Sequence, residues 1–120
     1  MFNSEKNEKF IQINIRPNIT AKALCKELLN KISGEQVDDV SNFNEMTSNL
    51  IKLINLNGVN LLRLNKFHRC YENQINQTQV EDLLKHIVRN TNLKLYVSMS
   101  HHYRKHLELN EQFARTINYF

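Results

Sequence analysis

Few residues in this 120-residue chain have the types and spacing that chemistry requires. His68 and Cys70 stand two apart in HRC, where they could begin a metal site or pair as base and nucleophile. Zinc takes about four ligands, and the other cysteine, Cys25, is far away in the sequence. No glycine-rich oxyanion turn accompanies the pair, so neither a metal site nor a cysteine enzyme is expected. His102 and His106 are four apart, but no HExxH-type carboxylate comes with them, and they read as a solvated basic face. Arg63, Lys66 and Arg69 recur every three residues. Arg63 would end a strand, with Lys66 and Arg69 just beyond it. Together with His68, Arg104 and Lys105 they would form a basic edge and are the candidate contacts for a polyanion or an acidic protein surface. The plainer alternative is that Arg63 snorkels from its strand while the others are solvated. Tyr71, Tyr96 and Tyr103 are available for base stacking, though they make no RNP-like pattern.

Composition bounds the classes these residues could serve. Hydrophobic residues are 41% of the chain and charged residues 23%, ordinary for a globular protein. No apolar run is long enough to span a bilayer, and the N-terminus lacks the apolar stretch of a signal peptide. A cytoplasmic protein without membrane contact is expected, with both cysteines as reduced thiols. The net charge of +4 is uneven. Residues 1–60 hold seven basic and seven acidic side chains; residues 61–120 hold nine and five, with all five histidines. Nucleic acid is therefore a candidate partner.

With only two glycines and one proline, hydrophobic periodicity must place the elements. Residues 10–15 alternate as a strand does and stop at Pro17. Thr20 is set to cap a helix whose stripe is Ala21, Leu24, Cys25, Leu28, Leu29 and Ile32, closed by Gly34. An acidic surface loop (35–40) leads to a second helix over about 41–56, with Phe43, Met46, Leu50, Leu53 and Ile54 on one face. Asn57-Gly58 ends it. Residues 59–64 read as a buried strand and 65–76 as a polar connection. A third helix capped by Thr78 follows, striped by Val80, Leu83, Leu84, Ile87 and Val88. Residues 93–99 form a third strand. From about His102 one or two short helices offer Phe113 and Ile117 for burial. The alternation predicts a small three-layer α/β domain over residues 10–120, with a parallel sheet of about three strands and covering helices. Residues 1–9 read as a flexible N-terminus.

The segment LLRLNKFHR (Leu61 to Arg69) resembles the Walker B segment of the TniB (TnsC-like) family of transposition AAA+ ATP-binding proteins. There the strand ends in an Asp-Glu pair, followed by an aromatic or aliphatic residue and His; here Phe67, His68 and Arg69 match. RPNITAKALCKELLNKISG resembles the family's helix after the second strand, and LKLYVSMSHHYRKHLELNEQFARTINYF its sensor strand and following helix. The resemblance spans roughly residues 10–120 and implies a partial AAA+ core. Four departures imply that nucleotide chemistry is lost. No P-loop occurs, so nothing cradles phosphates. The acidic pair is replaced by Asn65 and Lys66, a poor Mg²⁺ ligand and no base. The sensor end reads Met99, Ser100, His101, and the family's Arg falls on Thr116, beside Arg115.

The expectation is thus a non-catalytic interaction protein from a mobile genetic element, without cofactor or metal. It would bind a protein or nucleoprotein machine and modulate or inhibit it. The alternatives are a direct nucleic-acid-binding module or an anti-defence inhibitor, for example of a CRISPR-type complex. Loss of the core's first strand would leave a neighbouring edge unpaired, and such an edge can recruit a partner or a second copy.

Overall fold

The computed structural model describes residues 3–5, 8–34, 42–108 and 111–120. The acidic loop and Ser41 lie outside the described residues. The α/β class holds, with a parallel sheet and flanking helices. In chain order the strands are β1 (Asn3–Glu5), β2 (Glu8–Asn14), β3 (Leu61–Asn65), β4 (Lys94–Val97) and β5 (Ile117–Tyr119). They lie side by side in that same order. β1 pairs antiparallel with β2, and β2 to β5 are parallel. The three expected strands are β2, β3 and β4. The sheet has two more, both short: β1, within the nine residues set apart from the domain, and β5, in a stretch expected to be helical. β5 covers the outer edge of β4, pairing Leu95 with Ile117 and Val97 with Tyr119. The outermost strands have three residues each, too short to template much pairing.

The helices form where local signals agree. In α1 (Ala21–Ser33) the Thr20 hydroxyl accepts from the Ala23 amide at 3.0 Å, and the expected six-residue stripe is buried. Gly34 leaves it with φ 73°, where a Cβ would be strained. α2 (Phe43–Asn57) starts at Asn42, whose side chain accepts from the Asn44 amide at 2.7 Å. Its Met46, Leu50 and Ile54 are buried, while Phe43 stays exposed and Leu53 half-buried. The polar connection after β3 is largely a 3-10 helix, Phe67–Glu72. α3 (Gln74–Arg89) begins four residues before the expected cap because Asn73 caps it, accepting from Asn76 at 3.1 Å. Thr78 is spent inside the helix, donating to the Gln74 carbonyl. α4 (His101–Glu108) and α5 (Glu111–Ala114) connect β4 to β5.

Each crossover advances one strand in the same direction. Right-handed crossovers of that kind deposit their helices on one face of a sheet. The burial pattern agrees. Ile11, Ile13, Leu62, Leu64, Leu95, Val97 and Ile117 alternate along the strands and join the apolar stripes of α1, α2 and α3 in one core cluster. The intervening residues, among them Gln12, Arg63, Tyr96 and Asn118, are half-buried or exposed. β3 and β4 are thus not buried on both sides, as an apolar run suggests; one side of the sheet stays open.

Candidate functional site

The carboxyl end of the parallel strands is where an α/β sheet usually keeps its site. Here that rim is closed by hydrogen bonds. The Asn65 amide donates to Asn14 Oδ1 at 2.9 Å, and Asn65 Oδ1 accepts from the Ser98 hydroxyl. Ser98 Oγ in turn accepts from the Lys66 amide at 3.1 Å, and its carbonyl accepts from the Phe67 amide at 2.8 Å. Three strands are laced together by side chains at the position where the resembling family places its acidic pair. Both polar ends of Asn65 are engaged. Lys66 turns the chain out of β3 at φ 61°, a left-handed conformation uncommon for a residue with a Cβ.

That turn drives Phe67 into the core. The ring sits edge-on to Tyr71, at 5.8 Å and 88°, and stacks on Phe113, at 5.8 Å and 25°. Tyr71 stacks on Tyr103 and Tyr103 on His68, at 6.2 and 5.6 Å. His68 Nδ1 accepts from the Ser100 amide at 3.4 Å, which leaves the proton of a neutral ring on Nε2. Arg69 donates to the Ile15 carbonyl at 3.0 Å. The Tyr71 hydroxyl donates to buried Glu81 at 3.4 Å; burial first, then that carboxylate, hold the phenol protonated far above its ordinary range.

The candidate contacts do not all meet. Lys66, His68 and Arg69 share the turn and the 3-10 helix; of the three, Lys66 is exposed and the other two are half-buried. Lys105 is exposed on α4, and Arg104 lies 4.5 Å above the Tyr119 ring. Arg63 is separate. Its side chain points to the open face of the sheet, with its guanidinium 5.2 Å from the Phe10 ring centre and 5.4 Å from that of Phe120. Its position near the end of β3 suggested the rim, but the two-residue period turns it to the other surface. His102 is exposed; the side chain of His106 lies outside those described.

The sulfur chemistry is muted. Burial pushes the Cys25 thiol up to about 11, partly offset by a hydrogen bond with Thr47. Burial, with the Glu81 and Glu72 carboxylates, pushes Cys70 up to about 12. Neither forms the thiolate a nucleophile or metal ligand needs near neutral pH. Among the described residues no three of His, Cys, Asp and Glu are placed to hold a metal ion, and no helix is long and apolar enough to cross a membrane. A cavity of about 630 Å³ opens among the first turns of α1 and α2 and the α3 residues Gln79, Asp82 and His86. A smaller one, about 470 Å³, lies on the open face beside Arg63, Lys94 and Tyr96.

Sequence reasoning missed that open face as a surface. Its signal was Gln12 in β2, Arg63 in β3 and Lys94 and Tyr96 in β4, each set between buried neighbours. No family model matches the chain, and no curated protein matches it.

Proposed function

We propose that this chain is a non-catalytic interaction protein of a mobile genetic element that docks on a protein or nucleoprotein machine and modulates or inhibits it. The observation that carries the reading is the Asn14–Asn65–Ser98–Lys66 lacing. Where the resembling ATPases would hold a metal and a water, this rim spends its polar groups on one another. An amide committed at both ends neither ligates Mg²⁺ nor moves a proton. The exposed cations that remain, Lys66 and Lys105, suit recognition of an acidic surface. The transposition lineage rests on the Leu61–Arg69 segment and its flanking matches.

Two measurements test this. Calorimetric titration with Mg-ATP is expected to give no heat of binding, for wild type and for Asn65→Asp/Lys66→Glu alike. Saturable ATP binding with turnover would overturn the non-catalytic reading. Affinity capture from nuclease-treated host lysate is expected to retain a partner that Lys66→Glu/Lys105→Glu releases. A partner held equally by that variant would overturn docking through the rim.

The second reading, direct nucleic-acid binding, is favoured by a separate observation on the other surface of the sheet.

A further inference from the structure

We propose that the open face of the sheet is a platform for single-stranded nucleic acid. This goes beyond docking through the rim, uses different residues and stands or falls separately.

The strand registers set this face out as a grid. One row runs Phe10, Leu61, Lys94; the next runs Gln12, Arg63, Tyr96, Asn118. Beyond them lie Asn14 and Asn65, with Phe120 following β5. Neighbouring strands are about 4.8 Å apart and same-face residues along a strand about 7 Å. Three aromatic rings and two cations thus share a surface a few residues across. Phe120 is 49% exposed and Lys94 exposed, while Phe10, Tyr96 and Arg63 are half-buried. The Arg63 guanidinium bridges Phe10 and Phe120, which holds it ready and joins the two rings into one π surface.

Each component fits one part of an unpaired nucleotide. Rings and a guanidinium plane accept stacked bases of any sequence. Arg63 and Lys94 attract phosphates. Gln12 is exposed and carries donors and an acceptor for base edges; exposed Asn118 spends one amide hydrogen on the Leu95 carbonyl, at 3.3 Å, and keeps its oxygen as an acceptor. The two cations among its described side chains, Arg63 and Lys94, are complementary to a polyanion. A duplex fits less well, because a flat sheet face puts neither helix nor ribbon into a groove and a duplex hides its base faces. A protein partner would call for an apolar centre, whereas the middle row here is Gln12, Arg63, Tyr96 and Asn118.

The test is fluorescence anisotropy with a labelled oligo(dT) of about twelve nucleotides, within the footprint of such platforms, titrated from about 50 mM salt upward. Saturable binding is expected, with a log–log salt slope of about −1.4 if two phosphates are neutralised. Tyr96→Ala, Phe120→Ala and Lys94→Glu should each weaken it by about tenfold. The control Lys52→Ala, at an exposed position of α2 on the helix side, should leave affinity within about twofold, since it removes no contact of this face. Phe120 and Lys94 are surface positions, so those variants keep the fold, which a denaturant midpoint verifies. No saturable binding, binding that the three variants leave unchanged, or equal competition by a duplex would each overturn the platform. So would a nuclease-resistant protein partner lost on Phe120→Ala without oligonucleotide binding. None of these outcomes decides whether a partner docks at the rim.

Discussion

Leu64 and Arg63 are neighbours in β3, yet one is wholly enclosed and the other lies between two rings at the protein surface. The same contrast repeats in β2 with Ile13 and Gln12, and in β4 with Leu95 and Tyr96. One face of the sheet meets the helices and supplies stability. The other meets solvent and carries rings, amides and cations. Alternation along a strand lets both properties change independently, because every second residue belongs to a different surface. It also separates the open face from the laced rim, where side chains at the strand ends hold one another.

Substitutions can break this comparison, beginning with the largest effect. Leu64→Ala removes a fully enclosed side chain and is expected to cost about 2–5 kcal/mol in urea unfolding. Tyr96→Ala, one strand over on the open face, should cost well under that, about 1 kcal/mol. Equal losses would mean that both faces are packed.

The thiols test the covered side by pH. Both are favoured in the protonated form, since burial raises them from 9.0 to about 11 for Cys25 and about 12 for Cys70. Groups raised on folding contribute stability that is full below the unfolded value and lost as pH rises through the folded ones. Stability should therefore fall between about pH 9 and 12, and Cys70→Ala should flatten that fall. Rapid labelling of native thiols by a disulfide reagent at pH 8 would contradict their enclosure.

The rim comes next. Asn65→Ala strands Asn14 and Ser98 and should cost about 1–2 kcal/mol. A double-mutant cycle with Ser98→Ala should return a coupling of about 0.5 kcal/mol or more. The smallest effect is expected at Gly58, which ends α2 at φ 67° and where an added Cβ would meet no atom within 4 Å. Gly58→Ala should cost about 1 kcal/mol, all of it backbone strain.

How much of this the sequence carried depends on where each instruction lay. α1 was legible to the residue, because its cap, stripe and closing glycine are all local. The start of α3 was not, since Asn73 and Thr78 both make good caps and only the fold chooses between them. β5 had no local signature: INY becomes a strand because β4 offers it a partner. The alternating pattern of β3 and β4 was present in the letters, with Arg63, Lys94 and Tyr96 between buried neighbours. It reads as an open face only once all helices are known to lie on the other. The lacing of Asn14, Asn65 and Ser98 joins the ends of β2 and β3 to the residue that follows β4, which no local pattern announces. Asn65 itself was singled out, though for the acidic residue it replaces rather than for the contacts it makes.

The most direct measurement is an NMR titration of the labelled protein with oligo(dT), following aromatic and arginine side-chain signals. Perturbations centred on Phe10, Arg63, Tyr96 and Phe120 are predicted, with the enclosed Phe67 and Phe113 and the Lys66 turn unmoved. Shifts centred on Lys66, His68 and Lys105, or none at all, would contradict a binding platform on the open face.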